Sequence, residues 1–305
     1  MPNQHSDDWY KTPDGESRGY IIPHALDELW FHTGTRCNLE CGFCFEGSSP
    51  DSKRLQGPKF EEVKPHIDQA LELGVKQFSF TGGEPFLLKD IIDILAYASQ
   101  FRPCMVLTNG TAPLIKRFDA LKALADSSDS KHTISLRISL DSADSKSHDA
   151  GRGQGNFALA VAGLKKLHQA GFKVSVARHM AADENSEQVT KQYRDLFVLN
   201  GLPEDLNIVA FPDFLPPGSI ADVPHISTHC MVTYQTEQQR QSYMCSNSKM
   251  IIKKDDQMQV YACTLVDDDP DYHLANSLAE SMQERISMKH HRCYSCFAHG
   301  ASCSE

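Results

Sequence analysis

The chain has 305 residues, of which 40% are hydrophobic, and a formal net charge of −10 at pH 7. This length suffices for one large α/β core, or for a barrel of ~200–250 residues with an appendage. The acidic balance argues against a general polyanion-binding protein, since phosphate contacts need clustered Lys and Arg. The polar N-terminus lacks a signal-peptide core and no run of ~18 apolar residues occurs, so we expect a cytoplasmic protein without a membrane partner.

Short β-like runs alternate with helical stretches over about residues 29–211. The predicted strands are 29–33, 77–81, 105–108, 133–140, 173–177 and 206–211. The predicted helices are 60–73, 89–101, 112–125, 156–170 and 186–200. Such alternation indicates parallel β-α units. Six units predict an α/β fold, a partial (β/α)6 TIM-like barrel whose site lies at the carboxyl ends of the strands.

The amino-acid composition of the chain changes after the last predicted strand. Prolines and a glycine within 212–218 form a break, and the remainder is rich in cysteine. The acidic run 267–269 is expected to be a solvated turn, since such runs are usually exposed. We divide the chain into a flexible N-terminal segment (1–25), the barrel (26–215) and a small cysteine-rich α+β extension (216–305).

Ten cysteines are many for a cytosolic chain, where disulfides are uncommon, and metal binding is their default role. Cys37, Cys41 and Cys44 form a C-x-x-x-C-x-x-C triplet directly after the first predicted strand. A cubic four-iron cluster takes four ligands, and thiolates suit it. Three cysteines on one loop therefore leave one iron open to an outside ligand. The alternative is half of a zinc site, whose other thiolates would have to come from far away.

Cys245 and Cys263 flank a predicted β-hairpin at 250–261. A hairpin brings its two ends together, so both thiols could face one ion or cluster. Its predicted turn is the pair 255–256, where aspartates tolerate the required φ only moderately and leave the register open.

Cys293 and Cys296 form a C-x-x-C after a predicted helix at 277–288, and would complete a set of four ligands. A zinc ion bound by four cysteines competes with an iron-sulfur cluster at this site, and spacing alone does not separate the two. Cys230 and Cys303 remain as possible replacement ligands. Six thiols in this segment suffice for one auxiliary site and fall short of the eight that two complete clusters would need.

The cysteine triplet is followed, after the second predicted strand, by the run from Thr81 through Pro85 with Gly82, Gly83 and Glu84 inside it. These motifs in this order resemble the radical S-adenosylmethionine (SAM) superfamily over about residues 29–211. The resemblance implies that the triplet binds a four-iron cluster and that SAM chelates its open iron. Reductive cleavage of SAM would give a 5′-deoxyadenosyl radical that abstracts a substrate hydrogen. It also implies an electron donor such as flavodoxin or ferredoxin.

The cofactor-binding residues implied by the resemblance lie on loops after the strands. Gly82 and Gly83 would let backbone approach the cofactor, because glycine lacks a Cβ. Glu84 would accept a hydrogen bond from the methionine ammonium of SAM. The other implied contacts are Pro85 in the same turn, Phe43 beside adenine, Asn109 after the third strand, and Ser139 and Asp141 at the ribose.

The glycine-rich run 151–155 has two readings. It is either a tight entry to the next helix, with Asn156 as its cap, or a cradle from which Arg152 reaches a carboxylate or phosphate. We keep Arg152 as a candidate cofactor-binding residue.

The C-terminal cysteines resemble the twitch module of this family, a shortened SPASM extension that holds one auxiliary four-iron cluster. The resemblance implies that its ligands are Cys245, Cys263, Cys293 and Cys296.

The sequence is compatible with three functions. The first is a radical SAM enzyme acting on a peptide, protein or small molecule, with the auxiliary cluster assisting oxidation or rearrangement. The second is a radical SAM enzyme acting on a nucleotide or RNA; the net charge disfavours RNA. The third is a non-catalytic zinc-binding protein. Roughly 28 residues precede the first strand, too few for a leader-recognition domain, so a ribosomal-peptide substrate would need a separate partner to carry its leader.

Overall fold

The computed structural model describes residues 5–181, 184–212 and 215–300. Its strands are β1 (Tyr20–Ile21), β2 (Glu28–His32), β3 (Gln77–Thr81), β4 (Cys104–Thr108), β5 (Ile134–Ser139), β6 (Lys173–Met180), β7 (Ile208–Pro212), β8 (Ser248–Lys254), β9 (Gln257–Tyr261), β10 (His273–Ala275) and β11 (Ile286–Ser287). Its larger helices are α2 (Phe60–Glu72), α3 (Ile91–Ala98), α4 (Ala112–Asp126), α5 (Ser145–Arg152), α6 (Asn156–Gln169), α7 (Ser186–Leu199) and α12 (His291–His299). The short ones are α1 (Asp7–Tyr10), α8 (Thr228–Thr233), α9 (Glu237–Gln241), α10 (Met244–Asn247), α11 (Leu278–Ser281) and the 3₁₀ turns Pro85–Leu87 and Pro270–Tyr272.

The six strands β2 to β7 lie side by side in chain order and are all parallel. They are largely buried, as expected for strands covered on both faces. The six predicted strands and five predicted helices are therefore confirmed within a few residues, and so is the α/β fold class. Because parallel strands end at one edge, the loops that follow β2 to β6 meet there.

The sheet does not stop at β2. Strand β8 pairs with it in parallel, Glu28 opposite Ser248, and β9 and β10 extend the sheet antiparallel to nine strands. The predicted hairpin is confirmed as β8–β9, with Lys254 opposite Gln257. The two turn aspartates have φ of 51° and 58°, the left-handed values of a two-residue hairpin turn. The cysteine-rich part is thus joined to the barrel through a continuous sheet.

Two expectations about the chain were wrong. The segment 1–25 is folded over most of its described length, because Trp9 is buried against Tyr272 and β1 pairs with β11. The predicted helix at 277–288 ends with α11. Its last residues form β11 instead, where burial of Ile286 and pairing with β1 outweigh helix propensity.

The glycine-rich run belongs to two helices. An unpredicted helix, α5, ends at Arg152, and Gly155 precedes α6 with a φ of +83°. Asn156 is therefore the first helical residue and not the cap; its side-chain amide donates to the Arg152 carbonyl at 2.7 Å. No helix in the described ranges is long and apolar enough to cross a membrane.

Candidate active site and auxiliary cysteine site

A pocket opens at the carboxyl edge of the sheet, where the loops after β2 to β6 converge. Most of the predicted site residues line it: Cys37, Cys41, Phe43, Cys44, Gly82, Gly83, Asn109, Ser139 and Arg152. Three predicted residues, Glu84, Pro85 and Asp141, lie beside the pocket and not in its lining. The three thiols thus share one cavity with the glycine turn.

Two of the three thiols, those of Cys37 and Cys44, accept hydrogen bonds from nitrogen donors. The backbone N–H of Leu39 donates to Cys37 Sγ at 3.4 Å, and that of Ser48 donates to Cys44 Sγ at 3.4 Å. The side-chain amide of Asn109 reaches Cys37 Sγ at 3.7 Å. Burial raises the pKa of the Cys37 thiol to about 11, so a bound cation is what would stabilise its thiolate. Clustered thiols with N–H donors fit an iron-sulfur cluster.

The glycine turn packs against the start of the cysteine loop. A Cβ on Gly83 would lie 2.3 Å from the Arg36 carbonyl oxygen, and one on Gly82 would lie 2.8 Å from that of Gly34. The backbone N–H groups of Gly83 and Glu84 donate to these same two oxygens at 2.9 and 3.1 Å. The two glycines therefore allow the start of the cysteine loop to pack closely against the turn. The sequence had predicted that they allow the backbone to approach the cofactor.

Glu84 is buried behind the pocket, with 1% of its surface exposed. Its carboxylate accepts hydrogen bonds from the Thr108 hydroxyl and from the backbone N–H groups of Asn109 and Phe86, at 2.9 to 3.0 Å. Burial raises the pKa of Glu84 to about 7. The carboxylate thus fastens the loop after β3 to the loop after β4, and its contact with a SAM ammonium stays a prediction.

Phe43 lies at the pocket mouth between His179 of β6 and Arg152 of α5. Its ring meets the His179 ring edge-on, with centroids 4.3 Å apart, and the Arg152 guanidinium lies 5.5 Å from its centre. A Cβ on Gly151 would lie 2.3 Å from the ring, which explains a glycine inside α5. Arg152 donates to both carboxylate oxygens of Asp141, and this charge pair lowers the pKa of Asp141 despite its burial. The pair holds α5 against the end of β5.

His179 was missed by the sequence analysis. It lies near the end of β6 and lines both the main pocket and a neighbouring one behind Phe43. Its position could have indicated a site residue, since it follows the fifth predicted strand by two residues and the site is expected at the carboxyl ends of the strands.

A network of buried charges joins the cysteine loop to the extension. His32 Nε2 lies 2.8 Å from Glu46 Oε2, and Arg54 contacts Glu46 at 3.1 Å and Asp267 at 2.7 Å. The expected solvated turn at 267–269 was therefore wrong: Asp267 is 2% exposed because Arg54 pairs with it. Burial raises the pKa of Asp267 to about 6.

The ligand atoms of His32, Glu46 and Asp267 all lie within 4.8 Å of one another. Such a set resembles a cation site, but the guanidinium of Arg54 already supplies the positive charge. His32 Nδ1 also accepts from the Gly34 N–H at 3.1 Å, so Nε2 carries the proton and donates to Glu46. The cluster is a salt-bridge network.

The second cysteine group converges in the extension. Cys245, Cys263, Cys293 and Cys296 line one largely apolar pocket, together with Tyr243, Met244 and Tyr272. None of the nine described cysteines forms a disulfide. Cys230 does not line this pocket; its Sγ lies 3.4 Å from the Ser227 hydroxyl. Cys303 lies outside the described residues.

Comparison with known proteins agrees with this geometry. A profile of the Radical SAM superfamily matches residues 31–196. The antilisterial bacteriocin subtilosin biosynthesis protein AlbA of Bacillus subtilis (strain 168) is 36% identical over 168 residues, which cover 54% of this chain and 35% of AlbA. A probable GTP 3′,8-cyclase of Pyrococcus horikoshii is 26% identical over 191 residues, covering 59% of this chain and 58% of the cyclase.

The fold also matches a solved structure. Streptococcus suis SuiB bound to its precursor peptide SuiA superposes with a TM-score of 0.59 at 16% identity, over 87% of this chain and 66% of SuiB. The chain spans about a third of the length of AlbA and somewhat over half of that of the cyclase. Because the profile match covers more than half of the chain and includes the thiol triplet and the glycine turn, the chain belongs to the radical SAM superfamily.

Proposed function

We propose that the protein is a radical SAM enzyme that abstracts a hydrogen from a peptide substrate, with an auxiliary four-iron cluster in its extension. The observation that carries the proposal is the convergence of Cys37, Cys41 and Cys44 with the glycine turn in one pocket at the strand ends. Three thiols in one loop leave an iron of a bound cluster open to SAM.

When bound, the cluster and SAM supply the 5′-deoxyadenosyl radical. The protein's own residues prepare the pocket for them. Asn109 orients the Cys37 thiol, and Glu84 fixes the loop that carries Asn109. Arg152 contributes a positive charge beside the thiols and could bind the carboxylate of SAM. A walled pocket also keeps a reactive species from water.

For the auxiliary site we propose a cluster in preference to zinc. Zinc binds thiolates at about 2.3 Å, which requires sulfur atoms roughly 3.8 Å apart. Within the described part of the chain, no three of these sulfurs lie within 4.8 Å of one another. The wider spacing favours a larger inorganic core held by Cys245, Cys263, Cys293 and Cys296.

The proposed peptide substrate is supported by AlbA, a bacteriocin biosynthesis protein, since AlbA is more similar to this chain than the GTP cyclase is. A flavodoxin or ferredoxin is proposed as the electron donor. Turnover of SAM in the presence of candidate peptides, and separately of GTP, tests the substrate class. Stimulation by GTP and by no peptide would overturn the peptide proposal.

Iron counting and SAM cleavage test the two metal sites. Anaerobically reconstituted wild-type protein should hold about eight iron atoms, as two four-iron clusters require, and should cleave SAM when reduced. Cys41→Ala should abolish cleavage, whereas Cys263→Ala should spare cleavage and remove about half of the iron. Iron for a single cluster together with stoichiometric zinc would refute the auxiliary cluster. Absence of SAM cleavage by the iron-loaded wild type would refute the enzyme proposal itself.

A further inference from the structure

Lys249 is a fully buried lysine near the start of β8. Its Nζ donates to the carbonyl oxygens of Cys245 and Ser248, each at 2.9 Å. These bonds hold the ammonium group beside the segment that carries one of the auxiliary thiols. Moving an ammonium out of water costs several kcal/mol unless an anion accompanies it. A counter-ion inside the protein would therefore stabilise the charged form of Lys249, whose pKa burial lowers to about 8.

No carboxylate supplies that counter-ion. Across residues 5–181, 184–212 and 215–300, no Asp or Glu oxygen lies within 4.0 Å of Lys249 Nζ. Lys253, four residues further along the same strand, provides the contrast. It is also buried, yet its Nζ pairs with the Glu62 carboxylate at 2.8 Å. The chain pairs one buried lysine of β8 with a carboxylate and leaves the other without one.

Lys249 Nζ contacts the backbone carbonyl of Cys245. Burial lowers the pKa of Lys249, and the sulfurs of Cys245 and Cys263 oppose this lowering when they are ionised. Both belong to the four cysteines that line the auxiliary pocket. The pocket wall is largely apolar, so charges within it interact through a low dielectric constant. Four thiolates around an iron-sulfur cluster, or around a zinc ion, carry a net negative charge. That charge would complete the pairing of the ammonium group.

We propose that Lys249 is the counter-ion of the metal centre at the auxiliary site and raises the reduction potential of a cluster held there. The inference rests on the proposed function, in that it takes these four cysteines as the ligands. A reductant such as dithionite gives the cluster one electron, with no bond broken. The fixed positive charge favours this reduced form, because the added electron makes the centre more negative.

The test uses the full reconstituted chain and four variants. Lys249→Met removes the charge and the hydrogen bonds, Lys249→Gln keeps amide donors without the charge, and Lys249→Arg keeps the charge. Lys253→Met is the matched control, since it removes a buried lysine of the same strand that already has a carboxylate partner. The readouts are the rate at which a chelator removes the auxiliary metal, and a potentiometric titration of the auxiliary cluster followed by electron paramagnetic resonance.

Both neutral variants should release the auxiliary metal at least ten-fold faster than Lys249→Arg and Lys253→Met. At a fixed potential, their ratio of reduced to oxidised auxiliary cluster should fall at least ten-fold, which is 59 mV for a one-electron couple. Neutral variants that match the wild type would overturn the proposal. So would a Lys249→Arg variant that loses metal as fast as they do, because packing and not charge would then explain the loss.

Two further outcomes stay decisive. If Lys249→Met fails to fold, the comparison of Lys249→Gln with Lys249→Arg decides alone. If the site holds zinc, the proposed auxiliary cluster is refuted, while the metal-release rates still determine whether Lys249 acts as its counter-ion.

Discussion

Alanine at position 83 should break the fit between the glycine turn and the cysteine loop. The new Cβ would lie 2.3 Å from the Arg36 carbonyl oxygen, whereas ordinary contacts begin at 3.4 Å. The obstacle is backbone on both sides, so no side-chain rotation relieves it, and one loop must move by about 1 Å. Overpacking of this kind costs roughly 1–3 kcal/mol, and we expect the upper end.

A loss of about 3 kcal/mol lowers Tm by roughly 6–12 °C in a domain of this order of size. The movement would also strain the two hydrogen bonds that Gly83 and Glu84 make to the cysteine loop. We therefore expect Gly83→Ala to bind less iron at the first site and to cleave SAM more slowly. Scanning calorimetry and iron counting under anaerobic conditions measure both effects.

Gly42→Ala is the matched control. Gly42 lies in the same cysteine loop, between two proposed ligands, and a Cβ there would meet nothing within 4 Å. Its Tm and iron content should stay near the wild-type values. A Gly83→Ala variant that behaves like Gly42→Ala would refute the steric argument. It would show that the two loops are not held together by this contact.

Three further predictions concern Glu84, Arg292 and Cys230. Burial raises the pKa of Glu84 to about 7, well above the ordinary value for a glutamate, so the folded state disfavours its ionised form by about 3 kcal/mol. Stability should fall as pH rises from about 4.5 to 7, and Glu84→Gln should remove that fall; equal pH profiles of Tm would contradict this. Arg292→Lys should speed proteolysis of the extension, because the guanidinium donates to the Phe45 and Leu215 carbonyls at 3.2 and 2.7 Å and charge-assisted bonds contribute about 1.5–3 kcal/mol each; an unchanged rate would count against it. Cys230→Ser should keep the auxiliary iron, and its loss would place Cys230 among the ligands.

The strands and most helices were predictable because the sheet is buried on both faces and its strands are continuous apolar runs. Helix α5 was not, because its sequence from Ser145 to Arg152 is polar and Ala150 is its one apolar side chain. The hairpin was predictable from its apolar flanks. Its register was not, since only the backbone shows that Asp255 and Asp256 both adopt positive φ.

The functional site also has features that the sequence predicted and features that it did not. Cysteine spacing and the glycine turn predicted which residues share the pocket, because both motifs follow adjacent strands. The acidic run at 267–269 was misjudged, since the partner of Asp267 is Arg54, more than two hundred residues earlier. Charge patterns along a sequence report exposure only when the partner is close in sequence. Lys249 was missed for the converse reason, as an isolated lysine in an apolar strand carries no local signal.

The two cysteine sites are linked through protein contacts and not only through the sheet. Arg292, next to Cys293 in sequence, donates to the carbonyl of Phe45, which follows Cys44. Arg54 meanwhile bridges Glu46 in the cysteine loop and Asp267 in the extension. These contacts between the cysteine loop and the extension are made by guanidinium, carboxylate and carbonyl groups, and none of them involves a thiol. Loss of the auxiliary metal alone should therefore leave the cysteine loop in place, which is why Cys263→Ala is expected to spare SAM cleavage while substitution of Arg292 or Arg54 is not.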